Sequence, residues 1–411
     1  MFRKMISHRV FKNSFALFIM QLFSYVSPLL VLPYLARLMS VENFGMLMML
    51  YSLLAVCLVV TDFGFNLSGT YYISRNYKDK KKINEFLTSA FCIKALLSAV
   101  SVIYFWFFLK GEFQSLDGYS VLLIAITMFV QSFQPIWFFQ GIEKMRHITL
   151  YTALSKLIYL LLVYFFVTSD SIVKVLLCYC ISQAVGTIFS ICFILKMEYS
   201  FSRTTYKNII SVFRQSIPFF VSRVAVVIYT SANTLFLGKY GGMVQAASYS
   251  SCEKIYFAGQ GLLNPLSQAF FPYLSKNKDE KFYIKFVILS VCILSVVCVA
   301  ASFFVYDVLN VFYGKKYNDS VGVLNTFLIT TVIAYASVSF GYPMFTLIDK
   351  IGYVNHTVVI GALIHIIGLF ILAKENIFTA QNIAYLVLIV ETAVLITRIV
   401  MYAYLKIKRT Q

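Results

Sequence analysis

Uncharged apolar runs long enough to cross a bilayer recur from one end of the 411-residue chain to the other, separated by short polar clusters. At about 20 residues per crossing they predict twelve helices, at residues 14–36, 44–66, 86–109, 119–140, 149–168, 173–195, 215–237, 246–270, 284–308, 321–347, 354–373 and 380–404. No stretch is left over for a soluble domain, and an even number of crossings returns both termini to one side. The opening segment, MFRKMISHRVFKNSF, is similar to the basic start of a secretory signal. The apolar run behind it is too long and has no small-residue cleavage site, so the first helix is expected to be retained.

The composition agrees: 60% of residues are hydrophobic, 13% are charged and the mean hydropathy is +0.79, against about 45–50% and 25% in soluble domains. The expected fold class is an all-α integral membrane protein. Lys and Arg number 35 and Asp and Glu 17, a net charge of +18. In a soluble chain that surplus would suggest nucleic acid. Here it sits in short loops, and no nucleic acid is expected. Alternate loops divide it 23 to 7, the richer set holding both termini and the Arg75–Lys82 and Lys196–Arg214 segments. The positive-inside rule places that set and both termini in the cytoplasm, against anionic membrane lipids.

The longest loop, around 196–214, divides the chain into halves of six helices, 1–200 and 201–411. Helices one and seven look like counterparts, since each carries proline and small or hydroxyl residues and runs into an outer loop with one cation. An even number of crossings between copies predicts a parallel repeat about an axis along the membrane normal. A proline inside a helix frees a carbonyl from its donor. Pro28 and Pro33 in the first helix and Pro218 in the seventh are therefore the candidate gating points.

Five cations fall inside predicted helices, Lys94, Lys156, Arg223, Lys254 and Arg398, with the acids Asp62, Glu253 and Glu391. A charge at the centre of the hydrocarbon costs at least about 2.5–3.5 kcal/mol, so it is expected to face a partner or a wet cavity. Counting 1.5 Å per residue puts Lys94, Lys156 and Arg223 roughly 10–12 Å inside the cytoplasmic boundary, and Lys254 about as far from the outer one. Glu391 falls near the midplane. Asp62 and Arg398 lie near helix ends, where a side chain can reach back to the interface. The surplus of cations predicts a cavity for an anionic cargo, with Arg223, Lys254, Lys94 and Lys156 as binding residues. Glu391, Asp62 and Glu253 are the acidic, ion-coupling candidates. Arginine suits phosphate, which its planar fork meets with two parallel hydrogen bonds.

No phosphate-binding loop, dinucleotide fingerprint or zinc-protease motif occurs, the eight cysteines form no Cys-x-x-Cys pair, and the four histidines are scattered. No catalytic residue, metal or cofactor is expected, and the chain does not read as an enzyme. The stretch SFQPIWFFQGIEKM, 132–145, reads as the end of the fourth helix. Pro135 bends it, and Trp137, Phe138 and Phe139 are expected to settle at the headgroup level. Gln131, Gln134 and Gln140 have no role in that account.

PIWFFQGIEKM (135–145) also resembles a signature of the bacterial O-antigen flippases, the Wzx family. These form part of the polysaccharide transporter branch of the multidrug/oligosaccharidyl-lipid/polysaccharide exporter superfamily. PLLVLPYLARLMSVENFG (28–45), TDFGFNLSGTYYISRN (61–76), IPFFVSRVAVVIYTSANTLFLG (217–238) and YSSCEKIYFAGQGLLNPLSQAFFPYLSK (249–276) agree with it. The resemblance runs along almost the whole chain and weakens after about residue 300. It implies a twelve-helix transporter of two six-helix bundles in the bacterial inner membrane. Its cargo would be undecaprenyl-pyrophosphate-linked oligosaccharide repeat units of the O-antigen, carried from the cytoplasmic to the periplasmic leaflet by ion-coupled alternating access. The O-antigen polymerase and chain-length regulator are candidate partners. Asp62, Arg223, Glu253 and Lys254 lie within the resembling blocks, whereas Lys94, Lys156 and Glu391 rest on depth alone. Two rival readings are a multidrug-type small-molecule exporter, which a basic cavity disfavours for organic cations, and a membrane scaffold for polysaccharide assembly enzymes.

Overall fold

The computed structural model describes residues 2–112 and 116–410, and every regular element among them is helical. In chain order these are α1 (Phe2–Leu38), α2 (Val41–Asp62), α3 (Phe65–Arg75), α4 (Lys80–Glu112), α5 (Gly118–Ser132), α6 (Ile136–Gly141), α7 (Met145–Phe166), α8 (Ile172–Lys196) and α9 (Tyr206–Thr230). There follow α10 (Asn233–Phe236), a π-helical turn (Leu237–Gly241), α11 (Met243–Asn277), α12 (Glu280–Ser302), α13 (Val305–Tyr313), a 3-10 turn (Lys315–Ser320), α14 (Val321–Ser339), α15 (Tyr342–Leu347), α16 (Tyr353–Lys374) and α17 (Ala380–Thr410).

Ten spans among the described residues are long and apolar enough to cross a membrane, and they fall on ten of the twelve expected runs. This is a multi-pass membrane protein. The other two expected crossings, 215–237 and 246–270, lie on α9, α10 and α11, which are helical but not among the ten.

Two compact units form, Met1–Val31 with Leu53–Val224, and Leu32–Ser52 with Ala225–Gln411. In the first, α4 shows how a lipid solvent inverts the usual pattern. Leu96, Val100, Ile103 and Phe107, one stripe at helical spacing, are exposed, while Ser89, Lys94, Ser98 and Ser101 are buried. Apolar side chains lose nothing in hydrocarbon, whereas polar ones need partners that only the protein can supply.

Each unit contains one crossing interrupted by a proline-bearing break. In the first unit α5 stops at Ser132, and Pro135 introduces the short α6; in the second α14 stops at Ser339, and α15 starts at Tyr342-Pro343. Both short helices close on an acid–lysine pair. Glu143 and Asp349 each adopt φ 57, and the Lys144 and Lys350 amides donate back to Phe139 and Phe345 at 2.8 and 3.1 Å.

The break in the first unit corrects the headgroup expectation for the three aromatics. Trp137, Phe138 and Phe139 are fully buried, in one core with Phe65, Phe86 and Tyr151. The chain turns at Pro135 and carries these rings back into protein. A Cβ on Gly69 would stand 2.7 Å from the Trp137 ring, which presses directly on α3. By contrast α1 is unbroken at Pro28 and Pro33, and α9 at Pro218.

Outside the spans, Lys80 Nζ lies 2.9 Å from Glu198. Hydrogen bonding to that ammonium, and its charge, hold the Glu198 carboxyl below the usual carboxylate range.

Candidate functional site

Two helix breaks bring Asp62 and Lys94 together in the first unit. At the end of α2, Phe63 (φ 47) and Gly64 (φ 76) turn the chain before α3. A Cβ on Gly64 would lie 2.6 Å from the Phe220 amide nitrogen and 2.8 Å from the Phe219 carbonyl carbon, so both the conformation and the close approach of α9 require glycine. Asp62 is held at this turn, where its Oδ2 lies 3.4 Å from the Asn66 amide. The second break, after α5, leaves the Ser132 carbonyl outside a regular helical ladder. Lys94 uses both openings: its Nζ donates to Ser132 O at 2.9 Å and lies 3.6 Å from Asp62 Oδ1. The two side chains are only 4% and 15% exposed.

Beside this pair lies a cavity of about 180 Å³ lined by Asp62, Asn66, Lys94, Gln131, Ser132 and Gln134, among others. The unexplained glutamines thereby find their places. Gln134 Nε2 donates to Gln183 Oε1 at 3.1 Å, and Gln131 Oε1 is buried with no hydrogen-bond partner among the described residues. Gln140 works elsewhere, accepting from Thr70 Oγ1 at 3.3 Å to tie α6 to α3. Lys156 is half-buried, with its Nζ 6.0 Å from the centre of the Tyr179 ring, and does not line the cavity. Arg223 is half-buried on α9, and its buried Nε has no hydrogen-bond partner among the described residues.

The second unit gathers another set. Glu253 is 5% exposed, and Lys254 Nζ lies 3.7 Å from its Oε2. Tyr249 lies one turn before Glu253 on α11. The Tyr249 hydroxyl accepts from Asn233 Nδ2 at 2.9 Å, and Asn233 Oδ1 lies 2.7 Å from Nε2 of the fully buried His365. An amide oxygen only accepts, so His365 carries its proton on Nε2 in this contact. Charge counting passed over Asn233, Tyr249 and His365, although a histidine inside the uncharged run IGALIHIIGLF is itself an intramembrane polar signal.

Arg398 differs from its expected placement. It is 8% exposed and does not reach back to an interface: Nη1 donates to the Ser337 carbonyl and hydroxyl at 2.6 and 2.9 Å, and Nε to Thr357 Oγ1 at 3.1 Å. Glu391 lies two turns earlier on α17 and is half-buried.

Residues 10–278 match the family described as "Polysaccharide biosynthesis protein". A protein of Shigella dysenteriae named as an O-antigen transporter is 28% identical over 370 residues, covering 87% of this chain and 92% of its own length. One of the same name from Escherichia coli (strain K12) is 27% identical over 273 residues, 65% of each chain. Among solved structures, an inward-facing conformation of a multidrug resistance MATE family transporter of the MOP superfamily superposes with a TM-score of 0.73. It covers 92% of this chain and 95% of its own at 14% identity, a likeness of fold. These similarities bear out the resemblance drawn from the sequence blocks.

Proposed function

Starting from the premise that the chain belongs to the polysaccharide biosynthesis protein family, we propose that it is a flippase of lipid-linked O-antigen. Undecaprenyl-pyrophosphate-linked oligosaccharide repeat units are its cargo, taken from the cytoplasmic to the periplasmic leaflet of the inner membrane. Twelve spanning helices, six in 1–200 and six in 201–411, form a parallel repeat with both termini in the cytoplasm. The matched proline breaks before α6 and α15 support that repeat.

The observation that carries the reading is Arg223, a guanidinium on α9 whose buried Nε lacks a hydrogen-bond partner among the described residues. Such a group is costly unless something transient satisfies it, and a pair of diphosphate oxygens suits the planar arginine fork. The other intramembrane charges divide the work. Lys94 with Asp62, and Lys254 with Glu253, are ion pairs that a coupling ion or a cargo anion can open. A sugar headgroup cannot cross hydrocarbon at a useful rate, and a wet, amide-lined wall replaces its lost water. The lipid tail need not enter.

The test is surface O-antigen on a lipopolysaccharide gel, in a host lacking this gene and complemented with wild type or Arg223→Ala at equal protein level. The reading predicts that the ladder is lost on deletion, restored by wild type and not by the variant. An undiminished ladder in the deletion strain would refute it and bring the small-molecule exporter forward. A scaffold role would leave Arg223→Ala fully active.

A further inference from the structure

Another cavity within the first unit lies outside the Lys94–Asp62 site. It occupies about 520 Å³ between the last turns of α3 and the first half of α9, a size typical of small-ligand pockets at about 300–1,000 Å³. Ser68 and Ser216, hydroxyl to hydroxyl at 2.9 Å, join the two helices there. Stacking of Phe63 on Phe213 and Phe220, with ring centres 4.4 and 4.7 Å apart, fixes α9 against the chain entering α3.

The lining consists mainly of aromatic, amide and guanidinium groups: Tyr71, Tyr72, Arg75, Asn76, Gln215 and Phe219. The Arg75 Nη1 donates to the Tyr71 hydroxyl at 2.7 Å, which uses one of its five N–H groups and orients the fork. Asn76 Nδ2 donates to the Tyr72 carbonyl at 2.9 Å and Gln215 Nε2 to Ser211 Oγ at 3.1 Å, so both amides are held while their oxygens remain acceptors. Through Tyr72 and Gln215 the cavity adjoins a second one of about 110 Å³, which adds Glu85, Ser89, Asn208 and Ser211. Lys78, Lys80, Lys81, Lys82 and Arg214 follow or precede these residues in the chain.

We infer that this cleft is a docking site for a sugar phosphate, the junction between the diphosphate and the first sugar of the lipid-linked cargo. Each part of that chemistry has its counterpart. Phosphate meets the arginine fork of Arg75, the C–H faces of a pyranose meet the Tyr71 and Phe219 rings, and its hydroxyls meet amides and the Glu85 carboxylate. A phospholipid phosphate would use the arginine and leave the amide and hydroxyl walls without a role. The inference rests on the flippase reading and adds a place of first capture. From Arg75 to Asn66, which lines the Lys94–Asp62 cavity, α3 rises roughly 13 Å at 1.5 Å per residue. One helix thus has a capture cleft at its end and a charged cavity at its start.

The experiment is saturation-transfer difference NMR on the full chain in phosphatidylcholine nanodiscs, with glucose 1-phosphate, glucose and inorganic phosphate as probes. Wild type should saturate the ring protons of glucose 1-phosphate more strongly than those of glucose. Arg75→Gln and Tyr71→Ala, both at exposed positions, should each reduce that signal at least five-fold with unchanged tryptophan emission. Three results would overturn the inference: no signal with wild type, an undiminished signal in both variants, or equal displacement by inorganic phosphate. Loss of the signal on exchanging the bilayer for phosphatidylglycerol would also overturn it, by marking a lipid-headgroup site. Failure of the flippase reading is separate, because it would appear as failure of wild type to restore surface O-antigen.

Discussion

Removing one partner of the Lys94–Asp62 pair should be far more damaging than removing both. At 3.6 Å the gross attraction is about 5 kcal/mol with an effective dielectric constant of about 20, and it is offset by desolvation of both ions. Asp62→Asn leaves the ammonium buried without its counter-charge, and Lys94→Met leaves the carboxylate without its cation. Each single change should therefore cost about 3–5 kcal/mol. The double variant exchanges the ion pair for a thioether and an amide, and should cost no more than about 1–2 kcal/mol, because neither change then leaves a buried charge without its counter-charge. The chain has two tryptophans. In a Trp106→Phe background the remaining one, Trp137, sits in the core beside Phe65, whose ring lies 5.7 Å from Lys94 Nζ. Unfolding in mixed detergent–dodecyl sulfate micelles, followed by Trp137 emission, gives the four free energies of the cycle. A coupling of at least about 2 kcal/mol is expected. Single variants within about 1 kcal/mol of wild type, or strictly additive costs, would refute a desolvated pair.

Other expectations follow from the packing. Gly64→Ala should cost at least about 1–2 kcal/mol from the left-handed conformation alone, with more from the contact at Phe219 and Phe220, whereas Gly118→Ala meets nothing within 4 Å and should leave the unfolding midpoint unchanged. Trp137→Ala should cost about 3–5 kcal/mol as a buried ring is lost; with the reporting ring gone, unfolding is followed by circular dichroism, where a headgroup tryptophan would show a small effect. Asn233→Leu strands the His365 Nε2–H and one contact of Tyr249, and a loss of about 1–3 kcal/mol per stranded group is expected in detergent unfolding. His365→Leu with Asn233→Leu should recover part of it.

Most of the helical layout was legible because hydrocarbon is an undemanding solvent: a run of about 20 apolar residues has few other uses. The charged positions were legible for the same reason, and Lys94 and Asp62 emerged as separate candidates. Their pairing was not, since it depends on two backbone breaks. One of these places Phe63, an ordinary helix former, at φ 47, which no local pattern announces. The other turns Trp137, Phe138 and Phe139 inward. An aromatic run reads the same at a headgroup or in a core, and only the tertiary contact with Gly69 distinguishes them. Arg398 looked able to reach an interface because depth along a helix ignores which face it occupies; its partners on α14 and α16 hold it inside. His365 carries no fixed charge, so a pattern of intramembrane ions does not reveal it, although a lone imidazole in an apolar run is itself a polar signal.

The most direct test of the central claim is translocation by the purified chain in sealed proteoliposomes. An undecaprenyl-diphosphate-linked oligosaccharide placed in one leaflet would be probed from the opposite side with a membrane-impermeant glycosidase. The account predicts time-dependent cleavage with wild type, strongly slowed by Arg223→Ala. Cleavage no faster than in protein-free vesicles, from folded protein with an imposed ion gradient of either sign, would contradict it.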